Sequence, residues 1–78
     1  MKTHNRFVAE VPALRQQQNI RWLVLEGDVE QTGGWYVYAH QSLEEGADFD
    51  SWHPTRSEAE REAVNRWGVT AEDWKLSD

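Results

Sequence analysis

The sequence predicts an α+β fold: a small antiparallel β-sheet of three or four strands, one main C-terminal α-helix packed on one face, and a short terminal helical turn. Two segments, 20–25 and 35–40, are rich in β-branched and aromatic residues on alternating sides, which is typical of strands. Gly33 and Gly34 lie between them and supply the positive φ that a hairpin turn needs. A later segment, 56–67, is framed by the start and stop signals of a helix.

The segment 20–25 is the strongest strand candidate. Ile20, Trp22 and Val24 are expected on one side of it. Leu23 and Leu25 are expected on the other, and apolar residues on both sides indicate a central strand that is covered on both faces. One helix covers only one face of a sheet. We therefore expect the other face to be covered by the N-terminal segment, by the C-terminal turn or by a second copy of the chain.

Two shorter segments are candidates for the remaining strands. Residues 6–11 alternate loosely and stop at Pro12, which favours a short edge strand. Residues 49–53, anchored by Phe49 and Trp52 and ended by Pro54, form the other candidate. The sheet is therefore expected to have three strands, or four if both segments join it.

The helix is predicted by signals at its two ends. Thr55 and Ser57 are each followed three residues later by a glutamate, which is the pattern of a capping box. Gly68 suits the left-handed position that ends a helix, so we expect the helix to run from residue 56 to residue 67. A second capping signal at 70–73 opens the short terminal turn.

The predicted core combines one side of the sheet with a narrow apolar stripe of the helix. The alanines of that stripe would let the helix lie close to the sheet. The terminal turn is expected to carry Trp74 and Leu76. The predicted core residues are Trp22, Val24, Val37, Ala59, Ala63 and Trp67.

Length and composition indicate one small domain. The 78 residues form a single unit, 1–78, of which 1–5 are expected to be a frayed end. The chain contains no cysteine, so neither disulfides nor a thiolate metal site can add stability, and the nine aromatic residues must supply much of the buried surface. No apolar run reaches about 18 residues and no secretory signal is visible, so a cytoplasmic location is the default expectation.

Acidic residues are concentrated in the segment 26–62. It holds ten acidic and two basic residues, a charge of −8 against −6 for the whole chain. Three of the acids, at positions 58, 60 and 62, suit the positive end of the predicted helix. The other seven lie in or beside the loops that link the strands, where acidic side chains would steer the domain towards a basic partner.

A metal-dependent enzyme is one alternative hypothesis. His40 and His53 flank an acidic loop and, with a carboxylate, have the donor types of a zinc or iron site. Their spacing matches no ligand motif. Ser51 lies two residues from His53, but neither a catalytic triad nor a glycine elbow accompanies the pair. We therefore expect no enzyme activity, no cofactor and no metal.

Nucleic-acid binding is another alternative. Trp35, Tyr36 and Tyr38 on one strand are similar to a base-stacking platform. Affinity for a polyanion comes from lysine and arginine, however, and the acidic segment disfavours such a partner. The contact would have to use the basic N-terminal residues Lys2, Arg6, Arg15 and Arg21.

The favoured hypothesis is a non-catalytic module that binds a basic protein or a second copy of itself as a homodimer. Its surface would be an aromatic hairpin rimmed by acidic loops, because large aromatic side chains are enriched at interfaces. The predicted partner-binding residues are Trp35, Tyr36, Tyr38, Glu44, Glu45, Asp48 and Asp50. The unit of aromatic hairpin, polar loop and capped helix is similar to a pattern that recurs among small bacterial and phage domains, and it carries no transferable site.

Overall fold

The structure is a computed structural model that describes residues 5–28 and 32–77. In this part of the chain five antiparallel strands form one sheet with the spatial order β4-β3-β2-β1-β5, and helix α1 packs on one face of it. The predicted α+β class is confirmed, whereas the prediction of three or four strands is wrong because the sheet has five. The elements are β1 (Arg6–Glu10), β2 (Trp22–Asp28), β3 (Gly34–His40), β4 (Phe49–His53), α1 (Arg56–Trp67) and β5 (Lys75–Leu76).

Strand β5 is the one that the sequence did not predict. The expected terminal turn is a 3-10 helix over Ala71–Asp73 with a capping box at Thr70, but the chain after it is extended. Lys75 and Leu76 pair with β1, which is consequently an interior strand. A strand of two residues is too short to show alternation, and its formation depends on a partner that lies far away in the sequence.

Helix α1 has the predicted bounds. Thr55 is its N-cap, and the side-chain oxygen of Thr55 accepts a hydrogen bond of 3.2 Å from the backbone N–H of Glu58. Gly68 adopts the left-handed conformation with φ 69°, and its N–H donates to the carbonyl of Val64. Both ends are thus satisfied by local groups, which is why they were readable from the sequence.

Strand β2 begins later than predicted. Gln18 and Asn19 have positive φ values of 53° and 65°, and they turn the chain just before it enters the sheet. Ile20 consequently lies outside the alternation of the strand and belongs to the core under α1, not to the side of Trp22. The expectation that Ile20 and Trp22 share a side is wrong for this reason.

The core lies between α1 and one face of the sheet. Residues directly opposite in antiparallel strands share a face, so Leu23 with Ala39 and Leu25 with Val37 point to the same side. The alanines of α1 are fully buried against them, as predicted. Five of the six predicted core residues are buried, and Trp22 is the exception.

Trp22 and Val24 project from the face of the sheet that points away from α1. We call this the open face. Trp22 is half-buried there, and Val24 is only 2% exposed. Val24 is therefore buried as predicted, although it points away from α1, whereas the prediction that Trp22 is a core residue is wrong. The alternation of β2 assigns relative sides but not the side that α1 covers.

The N-terminal segment contributes to the sheet and does not cover it. Asn5 directly precedes β1 and is tied to β2, because its side-chain amide donates to the carbonyl of Gly27 at 2.6 Å. The other residues of the predicted frayed end, 1–4, lie outside the described residues. Where the structure describes the chain, no helix combines the length and the apolar composition needed to cross a membrane.

Candidate functional site

Three rows of side chains cross the open face. The pairing of the five strands fixes which residues lie side by side in each row. Together they make one continuous surface, and no helix or strand in residues 5–28 and 32–77 packs across it. The central row is Lys75, Val8, Val24, Tyr38 and Asp50; one outer row is Arg6, Glu26, Tyr36 and Trp52; the other is Glu10, Trp22 and His40.

Aromatic side chains project from β2, β3 and β4 on this face. Tyr36 and Tyr38 are stacked, with ring centroids 5.5 Å apart and an interplanar angle of 16°. Trp52 is 46% exposed, and Trp22 lies in the outer row beside His40. Four aromatic side chains, together with the half-buried Val8, therefore present apolar surface to the solvent.

Trp52 is held in a defined position. Its indole N–H donates to the side-chain oxygen of Thr32 at 3.0 Å. Its ring also fills the space where a β-carbon at Gly34 would lie. The absence of a side chain at position 34 thus allows the indole to lie flat on the end of β3.

Charged residues are distributed unevenly across the open face. Lys75 stands at the β5 edge and Asp50 at the β4 edge of the same row. Arg6, next to β5, contacts Glu26 at 3.5 Å and donates to the side-chain oxygen of Ser77 at 2.9 Å. The basic residues therefore lie on one half of the face, and Asp50 lies at the far edge of the other half.

The acidic loop between β3 and β4 adjoins the Trp22–His40 end of the face. Asp48 closes this loop, because its carboxylate accepts a hydrogen bond of 3.2 Å from the backbone N–H of Gln41. The backbone carbonyl of Glu45 lies 3.1 Å from the ring nitrogen Nδ1 of His40. Glu44 and Glu45 are exposed and extend the polar rim beyond the strand ends.

The structure divides the seven predicted partner-binding residues among three locations. Tyr36, Tyr38 and Asp50 share the open face. Glu44, Glu45 and Asp48 belong to the adjoining loop. Trp35 lies on the helix-covered face, where its ring packs against Gly27 and the guanidinium carbon of Arg56 stands 5.4 Å from its centroid.

The apolar surface of the open face includes Val8, Trp22 and Trp52, which were not among the predicted partner-binding residues. The alternation of each strand already separates Trp35 from Tyr36, and Asp50 shares its side with Trp52. Placing Trp22 beside His40, and Trp52 beside Tyr36, required the register between strands. The sequence patterns do not give this register, so they could not place these residues side by side.

The two histidines lie on opposite faces of the sheet. His40 belongs to the open face, whereas His53 is paired with Trp35 on the helix-covered face. In residues 5–28 and 32–77 no group of three or more potential ligand side chains is placed to hold a metal ion. The two imidazoles therefore cannot share one ion in this arrangement.

Ser51 and His53 are joined by a hydrogen bond, with Oγ and Nε2 2.9 Å apart. The pair has the donor types of a nucleophile and its base. In the described part of the chain, however, no carboxylate contacts the other ring nitrogen of His53. The contact joins two residues of one short strand, and no described group orients the imidazole towards catalysis.

The basic residues of the N-terminal quarter do not form one patch. Arg6 is on the open face, and Arg15 donates to the carbonyl of Asn65 at 3.1 Å near the end of α1. Arg21 lines an open polar depression of about 470 Å³ that also includes Glu45. Lys2 lies outside the described residues. Comparison of the chain with protein families, with curated proteins and with solved structures found no match.

Proposed function

We propose that this chain is a non-catalytic protein-binding module whose contact surface is the open face of the sheet. The observation that carries the proposal is the exposure of Trp52, together with Trp22, Tyr36 and Tyr38, on a sheet face that no described helix or strand covers. Such a surface is costly to leave in water, and aromatic side chains dominate the binding energy of protein interfaces.

The borders of this surface support a protein partner. Glu10 and His40 lie at one end, the exposed Glu44 and Glu45 lie just beyond it, and Asp50 stands at one edge. An apolar centre with a charged rim is the usual anatomy of a protein interface. The proposed partner is a basic protein or a second copy of the chain. The proposed location is the cytoplasm, because a chain without cysteine fits a reducing compartment.

The two alternative hypotheses have less support. Nucleic-acid binding needs a continuous basic surface, whereas Arg6, Arg15 and Arg21 lie at three separate places. A metal-dependent enzyme would need His40 and His53 on one face of the sheet, and they lie on two. No specific contact favours either alternative over binding through the aromatic surface.

Capture of binding partners by immobilised protein tests the proposal. The bait is the wild-type chain, offered both its own soluble copy and a cell lysate at low and at high salt, with bound species identified by mass. The test variant combines Tyr36→Thr with Trp52→Thr, since threonine keeps strand propensity while removing the rings. The matched control is Leu14→Thr. Leu14 lies outside the sheet and is 99% exposed, so this change removes an apolar side chain without altering the open face.

A bound protein that the wild type and the control retain, and that the double variant loses, would support the proposal. Its binding should also weaken at high salt if the charged rim contributes. Equal capture by all three baits would show that the open face is not the contact surface. Capture of nothing, combined with a monomeric sedimentation mass, would overturn the proposal altogether.

A further inference from the structure

We infer that the open face binds a second copy of the chain, with the two copies packed face to face about a two-fold axis that runs along β2. This inference rests on the proposed function, because it identifies the occupant of the same surface. It follows from the position of β2 in the middle of the sheet and from the order of charges in the rows.

The proposed axis brings different strands opposite one another. Because β2 is the third of five strands, a two-fold rotation about it places β5 over β4 of the second copy and β1 over β3. Each row of side chains then lies over the same row of the second copy, in the reverse order. Sheets that pack face to face in this aligned manner, about 10 Å apart, are common in β-sandwiches.

The central row is complementary to the same row of the second copy, which runs in the opposite direction. Lys75 of each copy faces Asp50 of the other at the two rims of the interface. Val24 lies opposite its own symmetry mate at the axis and, at 2% exposed, adds little contact surface. Val8 faces Tyr38, so an aliphatic and aromatic centre lies between two pairs of opposite charge.

The outer row that contains Arg6 fits the same axis, with one contact between like charges. Arg6 of one copy faces the ring of Tyr36 of the other, which is a cation–π arrangement. Trp52, at the β4 edge, faces the end of β5. Glu26 faces its own symmetry mate, and the Arg6 guanidinium 3.5 Å away in each copy offsets the repulsion between the two carboxylates.

The other outer row pairs an acid with a base. Glu10 of one copy faces His40 of the other on both sides of the axis. Trp22 lies on β2 and therefore faces its own symmetry mate, which places two indole rings together at the centre of this row.

The same charges disfavour other partners and another symmetry. A two-fold axis across the strands would set Asp50 over Asp50 and Lys75 over Lys75. A uniformly basic partner would meet Lys75 and Arg6 on one half of the face with repulsion. Only the axis along β2 opposes each charged end of the central row with its opposite.

The dimensions of the face set the expected strength of association. The sheet is five strands wide at about 4.8 Å per spacing, and the three rows span the five residues of β1 at about 3.4 Å each, so the footprint is at most roughly 20 by 17 Å and is smaller at β5, which has two residues. That projected area, at most about 340 Å² per copy, is below the roughly 800 Å² per partner of a standard interface, so association is expected to be weak, reversible and dependent on protein concentration. The experiment must therefore detect a weak complex.

Cross-linking of introduced cysteines tests the arrangement. The chain has no cysteine, so a short bismaleimide reacts only at the introduced thiols. Asp50→Cys and Lys75→Cys are prepared as separate variants of different mass, and both positions are exposed. Each variant is treated alone and in an equimolar mixture, with Leu14→Cys as the exposed control.

The expected product is a cross-linked heterodimer that forms only in the mixture. Positions 50 and 75 of opposite copies face one another, whereas the two copies of position 50 are separated laterally by four strand spacings, roughly 19 Å. Cross-linking of Asp50→Cys with itself, as efficient as in the mixture, would overturn the proposed axis. Absence of the mixed product at the highest attainable concentration would overturn self-association through this face.

The failure of this inference can be told apart from failure of the proposed function. The open face binds a different protein if no mixed cross-link forms but a lysate protein binds the wild-type bait and does not bind the Tyr36→Thr/Trp52→Thr bait. If neither result is obtained, the open face is not an interaction surface. The Leu14→Cys control must give no cross-link above background, because a cross-link there indicates random collision.

Discussion

The indole ring of Trp52 occupies the place where a side chain at Gly34 would begin. Gly34 is the first residue of β3, and the indole N–H of Trp52 donates to Thr32 just before that strand. Trp52, a residue of the open face, thereby contacts both Gly34 and Thr32 at the end of the hairpin. On the opposite face the ring of Trp35 packs on Gly27, and its nearest ring atoms lie 3.0 Å from the position that a β-carbon would occupy there.

The substitution Gly34→Ala should destabilise the protein and displace Trp52. Alanine in a strand ordinarily improves stability by about 0.5–1 kcal/mol relative to glycine. Here the added methyl group collides with the indole, and overpacking of this kind costs about 1–3 kcal/mol. The midpoint of urea unfolding should fall, and the NMR signal of the Trp52 indole N–H should shift as its bond to Thr32 is lost.

Gly46→Ala is the matched control for this prediction. A β-carbon at position 46 meets no atom within 4 Å. The control should leave the urea midpoint near that of the wild type and the Trp52 signal in place. Equal effects of the two substitutions would mean that the indole can move aside without loss.

The sequence predicted those parts of the fold that depend on neighbouring residues. The bounds of α1 follow from Thr55 and Gly68, which act within one turn of the helix ends. β5 and the late start of β2 were missed because they depend on pairing with β1 and on the positive φ of Asn19. Local patterns carry no information about these distant partners.

The candidate site was predictable only in part for the same reason. Alternation placed Tyr36 and Tyr38 together, and they do share the open face. It could not show that α1 would choose the side of Leu25 and leave Trp22 uncovered, because both sides of β2 are apolar. The side that α1 covers is the one that carries Leu23, Leu25 and Val37, and the buried alanines of α1 pack against it.

Removal of the N-cap should weaken α1. In the Thr55→Ala variant the N–H of Glu58 loses its side-chain acceptor, and cap substitutions of this type cost about 1 kcal/mol. The free energy of unfolding, measured by urea denaturation, should decrease by that amount without a change in slope. Thr55→Ser keeps the oxygen and should lie close to the wild type, and an equally unstable serine variant would contradict the capping role.

A larger residue at position 63 should push α1 away from the sheet. Ala63 is fully buried between α1 and the sheet, so Ala63→Leu is expected to cost about 1–3 kcal/mol through overpacking. Val64→Leu is the neighbouring control, because Val64 is 41% exposed and has room for the extra volume. Thermal unfolding should separate the two variants clearly, and a stable Ala63→Leu protein would show that the helix is not in close contact with the sheet.

Reversal of single charges should weaken the proposed dimer in a way that net charge does not explain. Asp50→Lys changes the net charge from −6 to −4, which by bulk electrostatics favours association of two acidic chains. In the proposed arrangement the introduced lysine instead faces Lys75 of the other copy at both rims. Two attractions of roughly 0.2–1 kcal/mol each become repulsions, so the dissociation constant should rise by about tenfold.

Sedimentation of the wild type and four variants over a range of concentrations measures this effect. Lys75→Asp alone should weaken association like Asp50→Lys, and the double variant Asp50→Lys/Lys75→Asp should restore it, because the rim pairs are re-formed with exchanged partners. Glu72→Lys is the control, since it makes the same change of net charge as Asp50→Lys at an exposed residue of the 3-10 helix outside the rows of the open face. If Asp50→Lys and Glu72→Lys tighten association equally, the net charge governs contact between the copies and the proposed pairing of rows is wrong.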